Sequence, residues 1–138
     1  MAHITVSHLA EHAFSIDVRG HTVVVDQPSR DLDEAGPTPV ELFVASLASC
    51  VAYYANRFLR AHGFAYGVDV DVDWKMRAGE PARVGRIALR VTPRGFIPHE
   101  LREPLRAAVE RCTVHNTLRE PPSIELEIDT MPLAERAG

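Results

Sequence analysis

The alternation of apolar and polar residues predicts most of the β-strands in this chain. An alternating stretch is typical of a strand that buries one of its two faces. Five segments show the pattern: Ile4–His8, Phe14–Val18, Val68–Met76, Arg83–Val91 and Ser123–Asp129. A further strand, HTVVVD, is predicted from its β-branched run, which follows a turn at Arg19 and Gly20.

Between the third and fourth strands the pattern changes to that of a long helix. Thr38 is a good N-cap, Pro39 suits the first helical position, and Glu41 completes a capping box. Gly63 favours a stop after the last turn. The residues in between are apolar nearly all round the helix, so we expect the helix to be buried on most sides. In a protein this small, such burial requires a sheet on one side and a second subunit on another.

A second helix is predicted for Ile97–Cys112, because Leu101, Leu105, Ala108 and Cys112 recur at spacings of three to four. The predicted order is β-β-β-α-β-β-α-β. Helices distributed among antiparallel strands indicate the α+β class. With 138 residues and a mass of 15.3 kDa, the chain is predicted to form one domain, residues 1–138.

Charge and composition exclude several classes of protein. The net charge is −4 and the basic residues are scattered, which argues against a nucleic-acid partner. The longest charge-free run, Leu42–Asn56, is shorter than the roughly 20 apolar residues of a membrane span. The first residues lack the pattern of a secretory signal. We therefore expect a cytoplasmic protein with no membrane partner, whose two cysteines are not joined permanently as a structural disulfide.

Cys50, in the middle of the long helix, has two interpretations. Cysteine often acts as a small buried hydrophobe. A reactive thiol must instead be deprotonated readily, because the thiolate is the nucleophile. Cys50 lies about three turns inside the helix, too far from the N-terminus for the helix dipole to act. A reactive Cys50 therefore needs a tertiary neighbour. We expect an arginine, and Arg19, Arg30 and Arg57 are the candidates.

The other candidate residues have structural explanations as well. Cys112 and His115 have the spacing of half a metal site, but no second pair of ligands accompanies them, so we predict no bound metal. Cys112 is also plausible as a core residue of its helix. Glu41 is explained by the capping box, and at about 100° per residue it lies roughly opposite Cys50 on the helix.

Two segments that carry one cysteine each resemble the OsmC/Ohr family of thiol-dependent peroxide-handling proteins. They are GPTPVELFVASLASC and RCTVHNTL, and HTVVVDQP and the later alternating strands fit the same layout. The resemblance covers roughly Ile4 to Ile128. It implies an intertwined homodimer in which antiparallel sheets wrap around long buried helices. It also implies that Cys50 attacks a peroxide and that Cys112 resolves the product as a disulfide.

One position differs from the organic hydroperoxide reductases of that family. The reductases carry a glutamate directly after the proline of this motif. Here Val40 follows Pro39, and the acidic residue is Glu41, one position later. The motif GPTPVEL is therefore more similar to the less characterised branch of OsmC-like redox proteins.

The function implied by the resemblance is reduction of organic hydroperoxides in oxidative stress defence. Cys50 and Cys112 would cycle through a disulfide that an external dithiol reduces, with no metal or organic cofactor. The apolar neighbours Phe43, Leu47, Tyr53 and Tyr54 favour an organic peroxide over hydrogen peroxide. The rival hypothesis is a non-catalytic dimeric binder of an apolar or thiol-reactive small molecule, with two structural cysteines.

Overall fold

The computed structural model of the protein describes residues 2–132. Its elements follow in chain order: β1 Thr5–Ala10, β2 Ala13–Val18, β3 His21–Val25, α1 Pro39–Ala61, β4 Val68–Arg77, β5 Arg83–Pro93, a 3₁₀ turn His99–Leu101, α2 Arg102–Val109 and α3 Thr113–Arg119. Strands β1–β3 form one antiparallel sheet in that order, and β4 and β5 form a separate antiparallel hairpin. The predicted α+β class, with antiparallel sheets and a long helix, is confirmed.

A tight turn at Arg19 and Gly20 sets the register of the N-terminal sheet. Val18 pairs with His21, so only these two residues connect β2 to β3. Their φ angles are 48° and 82°. Positive φ at both central residues is the geometry of a type I′ turn, whose twist matches that of the flanking strands.

The loop between β3 and α1 folds back over one face of this sheet. The carboxylate of Asp26 accepts hydrogen bonds from the backbone N–H groups of Gln27 at 2.7 Å and Ala35 at 2.9 Å. A Cβ at Gly36 would collide with the backbone carbonyl of Val24, so only glycine allows the loop to approach so closely. The loop lies against Ala13, which is buried.

The opposite face of the N-terminal sheet is apolar and open. Val6, Ile16 and Val23 lie side by side on it, since they are partners in the strand register. Val6 is 58% exposed and Val23 is 39% exposed. Within residues 2–132, the sheet makes no substantial contact with the helices or with the hairpin. A large part of its apolar surface is therefore left uncovered by its own chain.

The capping box predicted at the start of α1 is confirmed. The backbone N–H of Glu41 donates to the Thr38 hydroxyl at 3.1 Å, and the Glu41 carboxylate accepts from the N–H of Thr38 at 2.8 Å. Both bonds satisfy donors that the first turn of a helix leaves without partners.

The core lies where α1 packs against the hairpin and α2. Leu47 and Val51 pack with Cys112 in one cluster, and Ala55 and Leu59 pack with Leu105 in another. Length and composition alone would let α1 cross a membrane, but a core helix has the same properties. Here six of its residues are buried against the rest of the chain: Val44, Leu47, Ala48, Val51, Ala55 and Leu59.

Two expectations from the sequence were wrong for the described chain. The predicted helix Ile97–Cys112 is split into the 3₁₀ turn and α2, which ends at Val109, so Cys112 lies outside it. The predicted strand Ser123–Asp129 pairs with no other strand in the part of the chain that the structure describes. The expected burial of α1 on most sides requires a second subunit and stays a prediction: within the single chain Tyr53 is 60% exposed and Phe43 is 38% exposed.

Candidate functional site

The fold brings the two cysteines together. Cys50 lies on α1, and its side chain packs against the cluster that contains Cys112. The two side chains are close enough for a hydrogen bond between the thiols. Both cysteines are in the free thiol form. Cys112 is fully buried, whereas Cys50 is partly exposed.

Cys112 is held in place as the N-cap of α3. Its φ and ψ of −52° and 120° are not helical, and its Sγ accepts a hydrogen bond from the backbone N–H of His115 at 3.5 Å. This is the position and the role that Ser, Thr, Asp or Asn usually takes at a helix start. Capping thus fixes the Cys112 sulfur and leaves it beside α1.

The first turn of α3 lowers the pKa of the Cys50 thiol. Partial burial alone would raise that pKa, because it disfavours the charged thiolate. Hydrogen bonds from the backbone N–H of Val114, the side chain of Cys112 and the backbone N–H of Thr113 stabilise the thiolate and outweigh the burial. The net effect is that Cys50 loses its proton more readily than an ordinary cysteine.

The pKa of Cys112 is shifted in the opposite direction. Burial raises it first, and the hydrogen bond to Cys50 and the negative charge of the Cys50 thiolate raise it further. The backbone N–H groups of His115 and Val114 lower it, but not enough to reverse the shift. In this pair the proton therefore stays on Cys112, whose S–H donates to the Cys50 thiolate.

No arginine acts on Cys50 within the described single chain, so the expectation of an arginine activator stays a prediction. Among the described residues, the groups that lower the Cys50 pKa are backbone N–H groups and a thiol, and Arg19, Arg30 and Arg57 are not among them. A charged side chain was expected beside Cys50, and α3 was not predicted. The pattern of TVHNTL is too short to give a helix periodicity, and cysteine is not a usual capping residue.

Aromatic and apolar side chains surround the thiol pair. The Tyr54 hydroxyl forms a hydrogen bond of 3.2 Å with the Thr113 hydroxyl, which ties α1 to the first turn of α3. Leu47 packs against Cys112 from within the core. Phe43 and Tyr53 lie seven residues before and three residues after Cys50, so they share its face of α1 and remain exposed.

Glu41 and His115 have structural roles in this arrangement. The Glu41 carboxylate is engaged in the capping box at the start of α1, three turns from Cys50. His115 acts on Cys112 through its backbone N–H. No group of three or more histidine, cysteine or acidic side chains within residues 2–132 has the arrangement of a metal site.

Comparisons with known proteins agree with this fold. Residues 29–127, which include both cysteines, match the family model described as OsmC-like protein. The chain has no significant sequence match among curated proteins.

Solved structures share the fold at low sequence identity. An OsmC-like protein from Mycoplasma pneumoniae is 19% identical with a TM-score of 0.70, over 88% of this chain and 89% of that one. A protein from Psychrobacter arcticus, assigned provisionally to the osmotic stress and detoxification response, is 20% identical with a TM-score of 0.73, over 85% and 88%. The organic hydroperoxide resistance protein OhrB of Bacillus subtilis is 18% identical with a TM-score of 0.63, over 94% and 98%.

Proposed function

This chain belongs to the OsmC-like protein family, and on that basis we propose that it is a cytoplasmic, thiol-dependent peroxidase that reduces organic hydroperoxides in oxidative stress defence. The observation that carries the proposal is the opposite shift of the two thiols. Cys50, with its lowered pKa, is partly exposed, and Cys112, with its raised pKa, is buried beside it. An attacking cysteine must be deprotonated and accessible to the substrate, whereas a resolving cysteine can remain a buried, protonated thiol until the sulfenic acid forms. The similarity in fold to a protein of organic hydroperoxide resistance adds support.

The proposed reaction needs only these two side chains and an external reductant. The Cys50 thiolate attacks the distal oxygen of the hydroperoxide, the O–O bond breaks, and the alkoxide leaves as an alcohol after taking up a proton. Cys50 becomes a sulfenic acid. The Cys112 thiol then condenses with it, forming the S–S bond and releasing water.

An external dithiol would complete the cycle by thiol–disulfide exchange. Because Cys112 is fully buried and Cys50 is partly exposed, the incoming thiolate reaches the Cys50 sulfur and displaces Cys112. The transient mixed disulfide is therefore expected on Cys50. The apolar face of α1 around Cys50, with Phe43 and Tyr53 exposed on it, favours an organic peroxide over hydrogen peroxide.

A homodimer forms part of the proposal, because the single chain exposes too much surface. It has an accessible area of 11100 Å², whereas a compact monomer of 15.3 kDa is expected to expose about 7100 Å². The excess is about 4000 Å² per chain, which exceeds the roughly 1000–2500 Å² that each subunit of an obligate dimer usually buries. Two apolar surfaces contribute to it: the open face of the N-terminal sheet, and the segment after α3, where Ile124, Leu126 and Ile128 are 78–87% exposed.

Light scattering tests the dimer directly. The expected mass in dilute solution is twice the 15.3 kDa of one chain, because apolar patches of this extent are unusual on monomers. A mass of one chain across the accessible range of concentration would contradict it.

A titration of free thiols with cumene hydroperoxide tests the activity. The peroxidase proposal expects the loss of two thiols per chain at low peroxide, since one turnover joins Cys50 to Cys112. The alternative, a non-catalytic binder with two structural cysteines, expects no loss beyond that of free cysteine under the same conditions.

A further inference from the structure

An open groove runs along β5 on the side of the hairpin that faces the helices. Two adjoining cavities of about 420 and 570 Å³ form it, and they share Leu89, His115 and Arg119. Their volumes lie within the range of about 300–1000 Å³ that is typical of small-molecule sites. We call this feature the basic groove.

The floor of the basic groove is apolar, and its charged residues are nearly all cations. Side chains from α1, β5 and α2 make up the floor: Leu47, Val51, Ile87, Leu89, Leu105 and Val109. Four arginines line the groove: Arg86, Arg102, Arg106 and Arg119. Among the described lining residues the one carboxylate is that of Glu110. The chain as a whole carries a net charge of −4. The groove is thus a local concentration of positive charge on an acidic protein.

The arginines of the basic groove are not engaged by the protein itself. Within residues 2–132 none of them forms an ion pair, and the ion pair that the structure contains joins Arg94 to Asp69 elsewhere. Arg102 and Arg106 are four residues apart on α2, so they share one face of that helix. Two guanidinium groups on one rim can therefore meet the same anion.

We propose that the basic groove binds an amphipathic monocarboxylate. The hydrocarbon chain would lie on the apolar floor, and the carboxylate would be held by Arg102 and Arg106, whose forked donors match a carboxylate in geometry. A small inorganic anion would leave the floor unused, and a neutral hydrocarbon would leave the arginines unused. The proposal does not depend on peroxidase activity, because binding requires no reaction at a thiol.

The ligand would lie next to the thiol pair. Leu47 and Val51 belong to the floor and also pack against Cys112. His115, whose backbone N–H donates to the Cys112 sulfur, lines both cavities. One layer of side chains thus separates the groove from the candidate site.

Calorimetric titration of the full chain with octanoate tests the proposal, with octanol and acetate as reference ligands. Octanoate is expected to bind saturably and at least about tenfold more tightly than either, because octanol lacks the charge-assisted hydrogen bonds and acetate lacks the apolar contact. The double variant Arg102→Gln/Arg106→Gln is expected to weaken octanoate binding by about tenfold or more and to leave octanol binding unchanged.

Arg90→Gln provides the matched control. Arg90 is on β5 between Leu89 and Val91 but lines neither cavity, so its replacement is expected to leave binding unchanged. Equal affinity for octanoate and octanol would overturn the proposal, and so would unaltered binding by the double variant. The absence of saturable octanoate binding would also overturn it. If the double variant then converts a dimer to monomers, the groove holds a second copy of the chain instead.

Discussion

Removing the hydrogen-bonding group of Cys112 should make Cys50 less reactive near neutral pH. In Cys112→Ala the thiolate loses one of the three donors that lower its pKa, whereas Cys112→Ser keeps a hydroxyl donor at the same position. Each variant contains a single cysteine, so alkylation by iodoacetamide reports on Cys50 alone. The comparison therefore isolates one hydrogen bond.

The size of the effect follows from the strength of that bond. A typical hydrogen bond contributes about 1 kcal/mol net, and a thiol is a weak donor toward a charged acceptor. A loss of about 1 kcal/mol lowers the thiolate population, and with it the alkylation rate, by about fivefold wherever the thiol form predominates. Because the lost donor had lowered the pKa, the rate profile of Cys112→Ala moves to higher pH. The two variants converge at high pH, where Cys50 is fully deprotonated in both.

The assay is the second-order rate of alkylation as a function of pH, with circular dichroism to verify the fold. Stability provides a cross-check, because alanine also removes the cap of α3 and should lower the unfolding free energy by about 1 kcal/mol relative to serine. Identical rate profiles for well-folded Cys112→Ala and Cys112→Ser would refute the role assigned to the Cys112 donor.

Predictions for four further variants concern stability, measured in each case by urea unfolding at fixed protein concentration. Thr38→Ala should lower the free energy of unfolding by about 1 kcal/mol through loss of the cap. Glu41→Gln should lower it by less than about 1 kcal/mol, because glutamine can still cap. A hundredfold loss of peroxidase activity in well-folded Glu41→Gln would show instead that this carboxylate is catalytic. Leu59→Ala should cost about 2–5 kcal/mol, since Leu59 is 1% exposed, and a cost below about 1 kcal/mol would place it outside the core. Arg94→Gln should change stability by no more than about 0.5 kcal/mol, because its ion pair with Asp69 is largely exposed, and a larger loss would indicate a further contact.

Local patterns predicted most of the regular structure. Two kinds of element could be predicted because their signals lie within short stretches of sequence. They are the alternating strands β1, β2, β4 and β5 and the capped start of α1. Such signals are legible because each strand has a period of two and each cap has a fixed spacing. The prediction of a single domain over residues 1–138 stays a prediction.

Tertiary relations were the part that the sequence did not specify. The segment Ser123–Asp129 has the alternation of a strand, but no strand lies beside it within the described chain. The alternation indicates that the segment can form a strand, but it does not indicate which strand it would pair with. The activation of Cys50 depends on α3, a helix too short to give a periodicity, which begins at residue 113. A charged neighbour is easy to seek in a sequence, whereas backbone N–H groups that converge on a sulfur have no signature there.

The central claim is that Cys50 attacks the peroxide and Cys112 resolves the product. Mass spectrometry of Cys112→Ser after one equivalent of cumene hydroperoxide tests it most directly. The account predicts one or two added oxygens on the peptide that contains Cys50, because the sulfenic acid persists without its partner and can be oxidised further. The claim would be contradicted if Cys50→Ser instead accumulated oxygen on Cys112, or if neither variant nor the parent protein reacted faster than free cysteine.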